Sequence, residues 1–187
     1  MNDTMDEWYA AADTPELVEF GTVRGLGVSG MGAPGAAEHV AATAAMYAVA
    51  GPLTARAGLP MPVLEGRWWT EDEGPALEVP RERWRWHLFM RLPGTVPDAW
   101  VDEARQSGAI PAAARVLAVS FTVGRCLQVM HHGAFADEPA TLARLDAAMS
   151  EQGLVMNGLH HEIYLSDLRH TPEHEQRTIL RHPVRAG

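Results

Sequence analysis

Apolar and polar residues alternate along several short stretches of this chain, and the alternation sets the elements to expect. Residues 61–69 read M-P-V-L-E-G-R-W-W and residues 159–167 read L-H-H-E-I-Y-L-S-D. Each stretch holds a carboxylate inside an apolar, aromatic run of strand character. Side chains on a strand point alternately to its two faces, so Glu162 and Tyr164 project one way and His161, Ile163 and Leu165 the other. By the same rule Glu65, Arg67 and Trp69 share a face. Further strands are predicted at about 83–92 and 178–183. An Ala-rich helix is predicted from about 36 to 50, ending at Gly51-Pro52. A second helix is predicted from about 138 to 152, ending at Gly153. Asp137-Glu138-Pro139 opens it, and Leu142, Leu145 and Met149 form its apolar stripe.

The pattern occurs twice. Residues 23–33 read V-R-G-L-G-V-S-G-M-G-A, and residues 123–134 read V-G-R-C-L-Q-V-M-H-H-G-A. Arg24 with Arg125, Leu26 with Leu127, Val28 with Val129, Gly32 with Gly133 and Ala33 with Ala134 all match at one offset. A helix and two strands follow each copy. The last strands end alike, in Met90-Arg91-Leu92-Pro93 and Leu180-Arg181-His182-Pro183. The chain thus reads as one α+β domain over residues 1–187, with halves at about 15–93 and 115–184. A linker at 94–114 would hold a short helix over 98–106. Tandem strand–helix–strand–strand (SHS2) repeats predict pseudo-twofold symmetry and a largely antiparallel sheet with both helices on one side. The seam between the halves is the expected ligand cleft. Glu65 and Glu162 fall on equivalent strands. Gly25, Gly27 and Gly30 are expected to mark a bent or bulged strand that leaves room for a ligand.

Composition narrows the function classes. The chain has 187 residues, 47% of them hydrophobic, enough for one domain with a real core. The net charge of −9 disfavours a nucleic-acid partner and suits neutral or cationic small molecules. Cys126 is the only cysteine, so no intrachain disulfide can form, and its apolar strand predicts burial. The start M-N-D-T-M-D-E lacks the basic residues and apolar core of a signal peptide, and no apolar run is long enough for a membrane span. A cytoplasmic protein with no membrane partner is expected. Adjacent strand histidines (His131-His132, His160-His161) point to opposite faces and chelate one ion poorly. His170 and His174 flank a Thr171-Pro172 turn, and H-E-I-Y-L lacks the second histidine of a zinc helix. No metal and no cofactor are therefore expected. A serine-nucleophile elbow, a phosphate-binding loop and a dinucleotide turn are all missing from the sequence.

In combination and in this order, the tandem halves, P-V-L-E-G-R-W-W, C-L-Q-V-M-H-H-G, H-H-E-I-Y-L-S-D and the terminal T-I-L-R-H-P-V resemble the GyrI-like small-molecule-binding family. The likeness runs from about Trp8 to Val184 and is to the stand-alone branch, which lacks a preceding helix-turn-helix segment. It implies a cleft between the halves, aromatic walls, and a buried glutamate that holds flat, often cationic compounds. By motif match that glutamate is Glu162. Some stand-alone members hydrolyse the strained cyclopropane of spirocyclopropyl-dienone DNA-alkylating natural products of the yatakemycin and duocarmycin type. In that chemistry Glu162 would be the general base for water, and Tyr164 would donate a hydrogen bond to the carboxylate or the substrate oxygen. Trp69 and, second, Trp68 would stack on the planar substrate, with Glu65, His131 and Tyr47 completing the binding set.

Each of these residues also has a structural reading. Glu162 could pair with Arg67, Arg91 or Arg181, Tyr164 could pack in a core, Glu65 could cap a bend, and His131 could be a satisfied structural histidine. The competing function is a non-catalytic multidrug-binding protein that sequesters planar hydrophobic or cationic molecules. A third class is a protein-binding module acting on DNA gyrase or another partner.

Overall fold

The computed structural model describes residues 5–167 and 169–187; the first four residues of the acidic start lie outside the described residues. In chain order the elements are α1 (Met5–Trp8), β1 (Glu16–Met31), α2 (Ala37–Ala57), β2 (Glu65–Trp69), β3 (Arg85–Arg91), α3 (Asp98–Gln106), β4 (Leu117–His132), α4 (Glu138–Glu151), β5 (Leu154–Met156), β6 (His160–Tyr164) and β7 (Arg177–Ala186). The strand pairs β1–β3, β2–β3, β4–β7, β5–β7 and β6–β7 are antiparallel. The chain folds as two compact units. A central unit spans Arg24–Phe121, and a terminal unit combines the chain up to Val23 with Thr122–Gly187. The long strands β1 and β4 each pass from one unit into the other. No helix among the described residues is long and apolar enough to cross a membrane.

In the central unit β3 lies between β1 and β2, with Leu88 opposite both Val28 and Gly66. Helix α2 covers the face that carries Trp68 and Trp86. His39 stacks on Trp68, ring centroids 5.6 Å apart, and meets Trp86 edge-on at 5.4 Å. The helix does not stop at Gly51-Pro52 but continues to Ala57. Pro52 removes one backbone N–H, yet burial of Leu53 and Thr54 holds the next turn in place. The Thr54 hydroxyl donates to the carbonyls of Ala50 at 2.9 Å and Gly51 at 3.1 Å. The stop comes at Gly58, whose left-handed φ of 66° lets Leu59 N–H reach back to Thr54 O at 2.9 Å. Helix α3 occupies the residues the sequence predicted.

Gly25, Gly27 and Gly30 of β1 serve packing and leave no room for a ligand. A Cβ on Gly25 would sit 2.1 Å from Met90 O, one on Gly27 2.5 Å from His87 Nε2, and one on Gly30 2.2 Å from the Trp86 ring. Their neighbours already fill the space that the sequence reading assigned to a ligand.

In the terminal unit β7 lies between β4 and β6, with Leu180 opposite Val129 and Glu162. Helix α4 lays Leu145 and Met149 on Leu127, Val129, Leu154, Leu180 and Val184. The short strand β5 escaped prediction because its three residues are too few to show a period. On the opposite face Arg181 is fully buried. Its guanidinium lies 4.3 Å from the ring centres of both Trp8 and Phe20 and donates to Gln128 Oε1 and Trp8 O. Cys126 is buried on β4, and burial pushes its thiol up to about 11.

The backbone confirms the repeat and refines its alignment. Gly32 and Gly133 both take positive φ, 129° and 111°. Gly32 N–H donates to Trp84 O at 2.8 Å and Gly133 N–H to Gln176 O at 2.9 Å, each acceptor standing just before its unit's returning strand. Val28 faces Leu88 and Val129 faces Leu180, so Leu88 and Leu180 are counterparts. The two similar strand endings are therefore two residues out of step: Met90 corresponds to His182, not to Leu180. Met31 ends β1 and is 51% exposed.

Candidate functional site

Strand β6 places His160, Glu162 and Tyr164 on the face that β4 and β7 turn toward α4. The register fixes this, because Glu162 stands opposite Leu180 and Tyr164 opposite Thr178, and Leu180 belongs to the core under α4. Glu162 keeps 13% of its side chain exposed. Both carboxylate oxygens are held. Tyr164 OH donates to Oε2 at 2.6 Å, and His160 Nε2 donates to Oε1 at 3.1 Å. His160 Nδ1 is 3.0 Å from His182 Nε2. A neutral His160 that donates from Nε2 must accept at Nδ1, so His182 carries its proton on Nε2. Burial, and after it the positive charge that His160 carries when protonated, holds His182 down to about 3, so His182 itself is neutral near pH 7. His182 Nδ1 is then an acceptor, buried and without a partner among the described residues. The chain of donors His182→His160→Glu162←Tyr164 ends on one carboxylate and fixes its orientation. Phe135 meets Tyr164 edge-on at 5.8 Å and is 42% exposed, giving the site an aromatic edge.

Within the terminal unit no arginine compensates Glu162 among the described residues. Arg181, a candidate partner from the sequence, lies on the opposite face of β7 and spends its donors on Gln128 and Trp8. Held by Tyr164 and His160 and by no arginine of its unit, the carboxylate can meet a cationic ligand or take a proton.

A second carboxyl belongs to this site, and sequence reading missed it. Glu138 opens α4 and is 8% exposed. The positive end of a helix ordinarily favours the ionised carboxylate. Burial and then the charge of Glu162 override that preference and push Glu138 up to about 9. Its Oε1 is buried without a partner among the described residues. The unit thus holds one carboxylic acid and one carboxylate, the pairing used where one group gives a proton and another takes one. In the sequence Glu138 read only as part of a helix opening, because Glu162 comes close only through the fold.

The remaining candidates are placed as follows. His131 is 2% exposed; its Nε2 donates to Ala134 O at 3.0 Å and its Nδ1 accepts from Thr141 at 2.9 Å. It ties β4 to α4 and has neither ring nitrogen left for Glu162 or a ligand. In the central unit Glu65 is fully buried, and Glu65, Arg67 and Trp69 share the face away from α2, as alternation predicted. Arg67 lies 3.9 Å over the Phe121 ring. Trp68 is packed under α2, 7% exposed, whereas Trp69 is half-buried. Tyr47 of α2 is 39% exposed. Glu65 and Glu162 sit on equivalent strands but not at equivalent positions. Glu65 faces Phe89, and the residue facing the Phe89 counterpart, Arg181, is His161. The counterpart of Glu162 is Gly66, so the two carboxylates occupy opposite faces of their hairpins. No group of three or more His, Cys, Asp or Glu among the described residues is arranged to hold a metal ion.

Two antiparallel strand–helix–strand–strand units, one holding an oriented carboxylate under its helix, define an α+β protein of a ligand-binding class. A GyrI-like small molecule binding domain is matched over residues 100–185. A structure of an uncharacterized conserved protein from Listeria innocua is 31% identical, covers 97% of both chains and superposes with a TM-score of 0.86. Two structures described as a hydrolase from Listeria innocua are each 29% identical. One covers 97% of this chain and 96% of that chain with a TM-score of 0.82, the other 96% of each with 0.79. No curated protein matches this chain. The chain belongs to the GyrI-like small-molecule-binding family.

Proposed function

We propose that this protein is a cofactor-independent hydrolase that opens the cyclopropane of spirocyclopropyl-dienone DNA-alkylating natural products, of the yatakemycin and duocarmycin type, by adding water. The observation that carries the reading is the Glu162 carboxylate, oriented by Tyr164 and His160 and free of an arginine within its unit. The full-length likeness to structures described as a hydrolase supports it. In this chemistry the oxygen of a water bonds to the ring methylene while Glu162 takes the water proton. The cyclopropane C–C bond breaks, and its electron pair passes into the dienone, which becomes a phenol after protonation. Such a reaction would protect a cell from the alkylating compound.

A second reading is favoured by the same uncompensated carboxylate: a non-catalytic protein that binds planar hydrophobic or cationic drugs through Glu162. Mass spectrometry of a spirocyclopropyl-dienone compound separates the two. A gain of one water with the protein, absent without it, supports the hydrolase. An unchanged compound that quenches tryptophan fluorescence leaves the binder and ends the hydrolytic reading for this substrate class.

A further inference from the structure

Ring opening by water needs a proton donor as well as a base, because the departing electron pair ends on the dienone oxygen. On the α4 face of the terminal unit the titratable groups are few. His131 of β4 has both ring nitrogens engaged by Thr141 and Ala134. His182 of β7 and His160 of β6 donate along the chain that ends on Glu162. Tyr164 spends its hydroxyl proton on Glu162 as well. Asp137 precedes the helix in the chain. Glu138 is the group left over. It is buried at the first turn of α4, and its Oε1 has no partner among the described residues. A carboxyl serving only structure would have its buried oxygen bonded, since leaving it unmatched costs stability. Three residues upstream, Phe135 lies against Tyr164, so the start of α4 reaches the same side-chain cluster as Glu162.

We propose that Glu138 is the acid of the reaction, delivering its carboxyl proton to the substrate oxygen that gains charge as the ring opens. The inference rests on the hydrolase reading above. The step balances: water gives a hydroxyl to the methylene and a proton to Glu162, Glu138 protonates the phenoxide, and the proton on Glu162 then restores Glu138. Its raised proton affinity keeps Glu138 protonated at neutral pH.

The test measures turnover of a spirocyclopropyl-dienone compound against pH for wild type, Glu138→Gln and Glu138→Asp. Wild-type kcat should fall on the alkaline side as Glu138 loses its proton. Glu138→Gln should lower kcat about a hundred-fold with KM little changed, and should lose that alkaline limb. Glu138→Asp, which keeps a proton to give, should recover part of the rate and guards against a Gln variant that fails to fold. Wild-type turnover with an unaltered rate and profile in both variants would overturn the assignment to Glu138 and leave the hydrolase reading standing. No turnover by wild type would overturn the hydrolase reading, and the role of Glu138 in it. Carbon NMR of the glutamate carboxyls reads the group independently of turnover. One carboxyl of the wild type should titrate well above neutral pH and move down in Glu162→Gln, and its absence would overturn the proposal.

Discussion

Replacing Glu138 with Gln should change how the stability of this protein responds to pH. The folded state holds the Glu138 proton up to about 9, against an ordinary value of 4.5. Below 4.5 both folded and unfolded chains carry that proton and the group costs nothing. As pH rises from 4.5 toward 9 the unfolded chain gives it up while the folded chain does not, so this stabilising contribution is progressively lost. The slope is at most about 1.4 kcal/mol per pH unit, which reaches about 4 kcal/mol near pH 7.5. Glutamine keeps the shape of the side chain and has no proton to lose, so the variant escapes this loss. Urea unfolding of both proteins at about pH 5, 6.5 and 8 should show Glu138→Gln gaining on wild type at each step. A difference that stays constant across this range would refute the idea that Glu138 is a buried carboxylic acid.

His182 should act in the other direction. Its folded value near 3 lies below the ordinary 6.5, so its contribution is present above 6.5 and lost as pH falls toward 3; Glu138→Gln,His182→Gln should therefore unfold less steeply in acid, at equal urea, than Glu138→Gln alone. Gly25→Ala should cost about 2 kcal/mol or more, because its Cβ would meet Met90 O at 2.1 Å, whereas Gly51→Ala has open space within α2 and should gain about 0.5–1 kcal/mol by urea titration. Tyr164→Phe removes the donor to Glu162 Oε2 and should cost about 1–2 kcal/mol in the same assay; an unchanged midpoint would mean that the hydrogen bond does not hold the carboxylate.

Strand alternation made much of this fold legible. It placed Glu162 with Tyr164 and Glu65 with Trp69 on shared faces, and the internal repeat implied the strand–helix–strand–strand order that both units display. The failures have local causes. Pro52 reads as a helix stop, yet burial of Leu53 and Thr54 outweighs one lost hydrogen bond. Gly25, Gly27 and Gly30 read as room for a ligand, but across β3 their neighbours are Met90, His87 and Trp86, which only the strand register reveals. Aligning the halves on their two glutamates is one residue wrong, and one residue on a strand is the other face. In the sequence His131 is open to both a ligand contact and a structural role, and Thr141, which engages its Nδ1, meets it only once α4 docks. Glu138 escaped notice for the same reason: its altered chemistry comes from Glu162, a residue brought near by the sheet and not by the sequence.

The central claim is that the Glu162 carboxylate activates water. Its most direct test is incubation of a spirocyclopropyl-dienone compound in oxygen-18 water with wild type and with Glu162→Gln, followed by mass spectrometry. One heavy oxygen should be incorporated with wild type and almost none with the variant, while fluorescence should show that the variant still binds the compound. Equal incorporation by both proteins would contradict the claim, as would a compound that wild type binds and leaves intact.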